Sequence, residues 1–143
     1  MNWKNEAEEK LSGYPYVKRS INSLCKEIGR LELEITALRS PGFMPSSGGK
    51  SRRGREDRVL DNIASRELMK QALEQAQIYV QTVDQALESL DSDDREILET
   101  IFICNKWGGV SELAMALGLE RSTLYRKRDD ALRKFTLAMY GQC

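Results

Sequence analysis

The stretch Val110-Ser-Glu-Leu-Ala-Met-Ala-Leu-Gly-Leu-Glu-Arg-Ser-Thr-Leu-Tyr-Arg-Lys-Arg128 sets a small residue, Ala114, four positions before Gly118 and ten before Leu124. That is the spacing of two short helices joined by a tight turn, a helix-turn-helix. Ala114 is small because the second helix crosses close above it. Gly118 ends the first helix in the left-handed conformation that glycine adopts without steric cost. Leu113, Leu117, Leu119 and Leu124 fill the wedge between the helices. The second helix then presents Arg121, Ser122, Thr123, Tyr125 and Arg126 outward, residue types that reach base edges and phosphates in a DNA major groove. The rival reading is a plain helical corner with an incidental basic face, since glycine after a leucine-rich helix is common.

Upstream, Asp91 or Ser92 can cap a preceding helix, with Leu90 as a hydrophobic staple. Ile97, Leu98, Ile101 and Phe102 continue a helical apolar stripe through Cys104, and Asn105-Lys-Trp-Gly-Gly109 reads as a turn. Charge is sorted along this half of the chain. Residues 106–135 carry seven basic and four acidic side chains, net +3, whereas residues 84–99 carry seven acidic and one basic, net −6. A positive share concentrated on the second helix suits a polyanionic partner, although the whole chain has 22 basic and 22 acidic residues.

The N-terminal half is patterned differently. Tyr14, Val17, Ile21, Leu24, Ile28, Leu31, Ile35 and Leu38 alternate steps of three and four, a heptad seam. Ser12 and Gly13 predict a break between a short first helix and this long one, because Pro15 is tolerated only near a helix start. The seam ends in Arg39-Ser-Pro-Gly-Phe-Met-Pro-Ser-Ser-Gly-Gly-Lys-Ser-Arg-Arg-Gly-Arg55, which reads as a flexible loop over about 40–55. Gly48-Gly49-Lys50-Ser51 is not a phosphate-binding loop, because Met44 stands where that pattern needs glycine. Lys50, Arg52, Arg53 and Arg55 form either a solvated connector or an arm that contacts phosphates. A second helix is expected from Glu56 or Asp57 to about Ser89, with Met69, Leu73, Ala76, Val80, Val83, Leu87 and Leu90 as its seam. Two matched seams joined by one loop predict an antiparallel helical hairpin, with a homodimer through the hairpin as a further possibility.

Composition narrows the function. Of 143 residues, 41% are hydrophobic, 7% aromatic and 31% charged, which favours helices over sheets. Histidine is absent, which removes catalytic triads, Cys-His dyads and histidine zinc sites, and the three scattered cysteines make neither a metal site nor a disulfide framework. No enzyme, cofactor or metal is therefore expected. No apolar run approaches the roughly 20 residues of a membrane span, and no signal-peptide core opens the chain, so a cytoplasmic location is expected.

Leu-Asp-Ser-Asp-Asp-Arg-Glu-Ile-Leu-Glu-Thr at 90–100, the helix-turn-helix run, and Ala-Leu-Arg-Lys-Phe at 131–135 together resemble region four of bacterial sigma factors. Helical hairpin, basic loop and C-terminal region-four-like domain together resemble the small phage late-gene transcription regulators of the ArpU and RinA type. The resemblance implies base contacts by Arg121, Ser122, Thr123, Tyr125 and Arg126, and phosphate contacts by Lys106, Lys127 and Arg128. It also implies double-stranded DNA and RNA polymerase as partners, in the cytoplasm of a bacterial host. The chain departs from the sigma pattern at Lys127, at Glu120 in the N-cap position, and at Trp107-Gly-Gly. We therefore expect an all-α protein, with a helical hairpin over 1–89 and a helix-turn-helix DNA-binding domain over 90–143. The alternatives are a DNA-packaging adaptor resembling a small terminase subunit, and a module whose helix-turn-helix docks protein.

Overall fold

The computed structural model describes residues 2–39, 48–105 and 108–142, with 48–53 described by backbone alone. Every element among them is helical: α1 (Trp3–Arg39), α2 (Gly48–Glu88), α3 (Ser92–Leu98), a π-helical segment (Glu99–Cys104), α4 (Gly109–Leu117) and α5 (Arg121–Tyr140). The all-α expectation holds. The chain divides into two compact units, residues 19–77 and residues 1–18 together with 78–143. These limits differ from the division at residue 89 read from the sequence, because the first turns of α1 and the last turns of α2 share a core with α5.

In residues 19–77, Ile28, Leu31, Ile35 and Leu38 are buried along the heptad stripe of α1, and Ala76 along that of α2. The Asn62 side-chain amide donates to the Leu31 carbonyl at 2.9 Å, and Arg55 Nε donates to the Leu38 carbonyl at 2.6 Å. The α1 partner falls from 38 to 31 as the α2 residue rises from 55 to 62, so the helices run antiparallel here. Asn62 is only 3% exposed and its Oδ1 has no partner. A buried amide in an aliphatic seam gives up stability and fixes one register.

Two expectations about the limits of α1 and α2 are corrected. First, α2 begins at Gly48, so residues 48–55 are helix rather than loop, while 40–47 lie outside the described residues. The lysine and arginines in this run are good helix formers, and Arg55 ties the new turn to the end of α1. Second, α1 runs unbroken through Ser12-Gly13-Tyr14-Pro15. The Tyr79 hydroxyl donates to the Lys10 carbonyl at 2.5 Å, and a Cβ on Gly13 would lie 2.9 Å from the Tyr79 hydroxyl oxygen. Glycine here is the space that lets Tyr79 close over the helix at the Lys10 carbonyl, next to the Leu11 carbonyl that Pro15 leaves without its N–H. A contact 66 positions away in sequence overrides the local breakers.

The other unit has its main core where four helices meet. Ala7, Leu11 and Tyr14 of α1 pack with Val83, Ala86 and Leu87 of α2, Leu98 of α3, and Ala131, Leu132 and Phe135 of α5. A smaller cluster joins Ile97, Leu113, Ala114 and Leu124, with Ile101, Val110 and Leu117 against it. The π-helical segment serves both. In an ordinary α-helix Ile103 would point away from Leu98. The wider π turn, closed by Asn105 N–H to the Thr100 carbonyl at 3.1 Å, brings positions five apart onto one face. Phe102 and Ile103 then reach the main core while Ile101 reaches the smaller cluster. The helix expected to run to Cys104 is therefore α-helical only to Leu98.

Candidate nucleic-acid interface

The corner between α4 and α5 turns at Gly118. Gly118 has φ +67°, and the Leu119 N–H reaches back to the Ala114 carbonyl at 2.9 Å, the six-to-one bond that closes a helix with a left-handed residue. Leu113, Ala114 and Leu124 are buried beneath the corner, and Leu117 and Leu119 are half-buried at its edge. Leu124 is fully buried, which fixes the rotation of α5 about its axis.

That rotation divides the expected base-contacting residues into two rows. Ser122 and Arg126, one turn apart, are both exposed on one face; Arg121 and Tyr125, also one turn apart, lie about 100° round from them. Thr123 is half-buried beside the first row. Arg121 and Tyr125 line a pocket of about 390 Å³ with Asn105, Gly108, Gly109, Val110 and Ser111. Gly109, Val110 and Ser111 of this lining are the first three residues of α4, and Gly108 in the cap position has no side chain to satisfy their N–H groups. Asn105, held at φ +37°, is a pocket residue that the sequence reading passed over. Its signal was there, since asparagine is among the few residues that tolerate a left-handed backbone.

The expected phosphate contacts fare unevenly. Lys127 is exposed on α5. Lys106 lies outside the described residues, as do the side chains of Lys50, Arg52 and Arg53. Arg55, half-buried, is committed to the Leu38 carbonyl through both Nε and Nη2. Arg128 is committed too: its Nε and Nη2 donate to Asp129 Oδ1 at 3.2 and 3.0 Å, and its guanidinium carbon sits 5.0 Å from the centre of the Tyr125 ring.

The chain matches no known protein family, no curated protein and no solved structure. Among the described residues no helix is long and apolar enough to cross a membrane, and no three metal-ligating side chains gather.

The acidic stretch upstream is partly used inside this unit. Asp94 of α3 pairs with Lys134 of α5 at 2.8 Å, and Asp84 of α2 accepts the Tyr14 hydroxyl at 2.5 Å. Burial first, and the Asp84 carboxylate second, push the Tyr14 hydroxyl up to about 12. Burial tends to raise the Asp129 carboxyl, but hydrogen bonds from Lys4 and Arg128 outweigh it and hold the group below the usual aspartate range. Two of these pairs reach α5: Asp94–Lys134 ties it to α3, and Lys4–Asp129 ties it to the first turn of α1.

Proposed function

We propose that the protein is a sequence-specific, double-stranded-DNA-binding transcription regulator. The observation that supports this most is the α4–Gly118–α5 corner, in which burial of Leu113, Ala114 and Leu124 turns Ser122 and Arg126 to the outside. In this reading the corner is a helix-turn-helix and the first half of α5 enters the major groove. Ser122 and Arg126 address base edges, Arg126 having the fork geometry that suits guanine. Arg121, expected from the sequence to contact bases, lines the pocket beside α4 instead, and in this reading it addresses phosphates together with Lys127 and the amide end of α4, setting the register of the protein on the duplex. The second half of α5 is the anchor: Ala131, Leu132 and Phe135 fix the reading half to a core completed by α1 and α2.

The resemblance of residues 90–135 to sigma region four supports a regulator that works with RNA polymerase, a phage or prophage late-gene activator. Residues 19–77 would supply dimerisation, since Leu33, Leu60 and Leu68 stand at least 65% exposed there. The test is selection of bound fragments from the source genome by the purified protein. The proposal expects enrichment of a few fragments sharing one motif upstream of transcription units. Uniform retention of all fragments, or none, refutes it.

A further inference from the structure

Three donors converge on one oxygen at the side of α5. Lys4 Nζ lies 2.9 Å from Asp129 Oδ1, the oxygen that also accepts Arg128 Nη2 at 3.0 Å and Nε at 3.2 Å. Among the residues Lys4, Arg128 and Asp129, Arg128 is the least exposed, with a side-chain exposure of 23%. With its fork turned to Asp129, its guanidinium lies over Tyr125, whose ring also walls the pocket beside α4. We infer that Arg128 is a positioning residue rather than a phosphate contact: Asp129, itself held by Lys4 at the start of α1, aims Arg128 across the Tyr125 ring and fixes that ring at the DNA interface.

The inference rests on the DNA-reading proposal for its consequence, and on the geometry of the free protein for its basis. An arginine swung out to a phosphate would leave the Asp129 carboxylate facing the same phosphate and would take the cation from the Tyr125 ring. A tyrosine on the surface of a helix has several rotamers; a cation over one face selects among them. The first turn of α1, far from residue 125 in the sequence, thereby contributes to how the site is read.

The experiment has two arms on the full chain. The first measures Arg128 side-chain proton shifts by NMR in the free protein, with Tyr125→Leu as the zero point. Ring-current displacement is expected in the wild type, with partial loss in Asp129→Asn and Lys4→Ala. Unchanged shifts in both variants overturn the inference. The second arm compares binding to the selected site and to random duplex. Neutralising a carboxylate that merely repels DNA raises affinity for both alike and leaves their ratio unchanged. Positioning predicts instead that Asp129→Asn lowers the ratio by about two- to fivefold, the worth of an exposed cation–π contact. The change should fall on the base pairs that Tyr125→Leu affects. A uniform loss for Arg128→Ala, with the salt slope flatter by roughly 0.9, makes Arg128 a phosphate contact and overturns the inference. If the wild type binds no DNA, the functional proposal fails and the NMR arm alone decides the geometry.

Discussion

Leu11→Ala examines whether the N-terminal turns of α1 belong to the same core as α5. Leu11 is fully buried and packs in the cluster that contains Leu132 and Phe135. The substitution removes three carbon groups, worth about 2.4 kcal/mol at roughly 0.8 kcal/mol each. Its neighbours are held by long helices and cannot fully collapse into the space, so a cavity contribution brings the expected loss to about 3–4 kcal/mol. Urea unfolding followed by far-UV circular dichroism measures it, with Met115→Ala as the control. Met115 is 83% exposed, so its truncation should stay within about 0.5 kcal/mol of wild type. DNA affinity under native conditions should survive Leu11→Ala, because no DNA-facing side chain is touched. A loss below about 1 kcal/mol for Leu11→Ala refutes the shared core. So does a two-step unfolding curve in which only the first, smaller step moves.

Three further substitutions probe separate features. Gly118→Ala should cost about 1–2 kcal/mol by thermal melting, since open space surrounds the added Cβ and only the φ of +67° opposes it; no loss would mean the corner does not need a left-handed residue. Asn62→Leu should raise stability by about 1 kcal/mol, because the buried Oδ1 is unpaired, and a lower melting temperature would show that the amide stabilises the seam as well as registering it. Tyr14 ionises in the unfolded chain near pH 10 but in the folded one only at about 12, so stability falls as pH rises between those values; Tyr14→Phe should flatten that fall in paired melts at pH 9 and 11, and an identical pH dependence refutes the role of Tyr14.

What the sequence revealed and what it hid divide by range. The heptad stripes depend on helical period alone, and the residues they name are buried or half-buried in the structure, from Tyr14 to Leu38 and from Met69 to Leu90. The corner at Gly118 was legible for the same reason, since spacing and one glycine specify it. Long-range contacts were not. Gly13 and Pro15 read as a break because nothing near them shows that Tyr79 will close over the helix. The tie of Arg128 to Asp129 and Tyr125 was not legible either, because it depends on the rotation of α5 and on Lys4. The π segment was hidden because Ile101, Phe102 and Ile103 in a row fit no single α-helical face, and two cores had to be known before that pattern made sense. Among the candidate site residues, types and positions along the helix were readable, whereas the division into an outward row and a pocket row needed the burial of Leu124.

The central claim is that the exposed row of α5 reads bases. Selection on randomised duplex DNA, carried out with wild type and with Arg126→Ala, measures it most directly. The side chain is exposed and outside both cores, so the variant should fold as the wild type does. The account predicts that Arg126→Ala loses preference at one base pair of the site, by roughly 1–3 kcal/mol of discrimination, and keeps the others. Base preferences that are unchanged in Arg126→Ala, and unchanged again when Ser122→Ala is added, would contradict it.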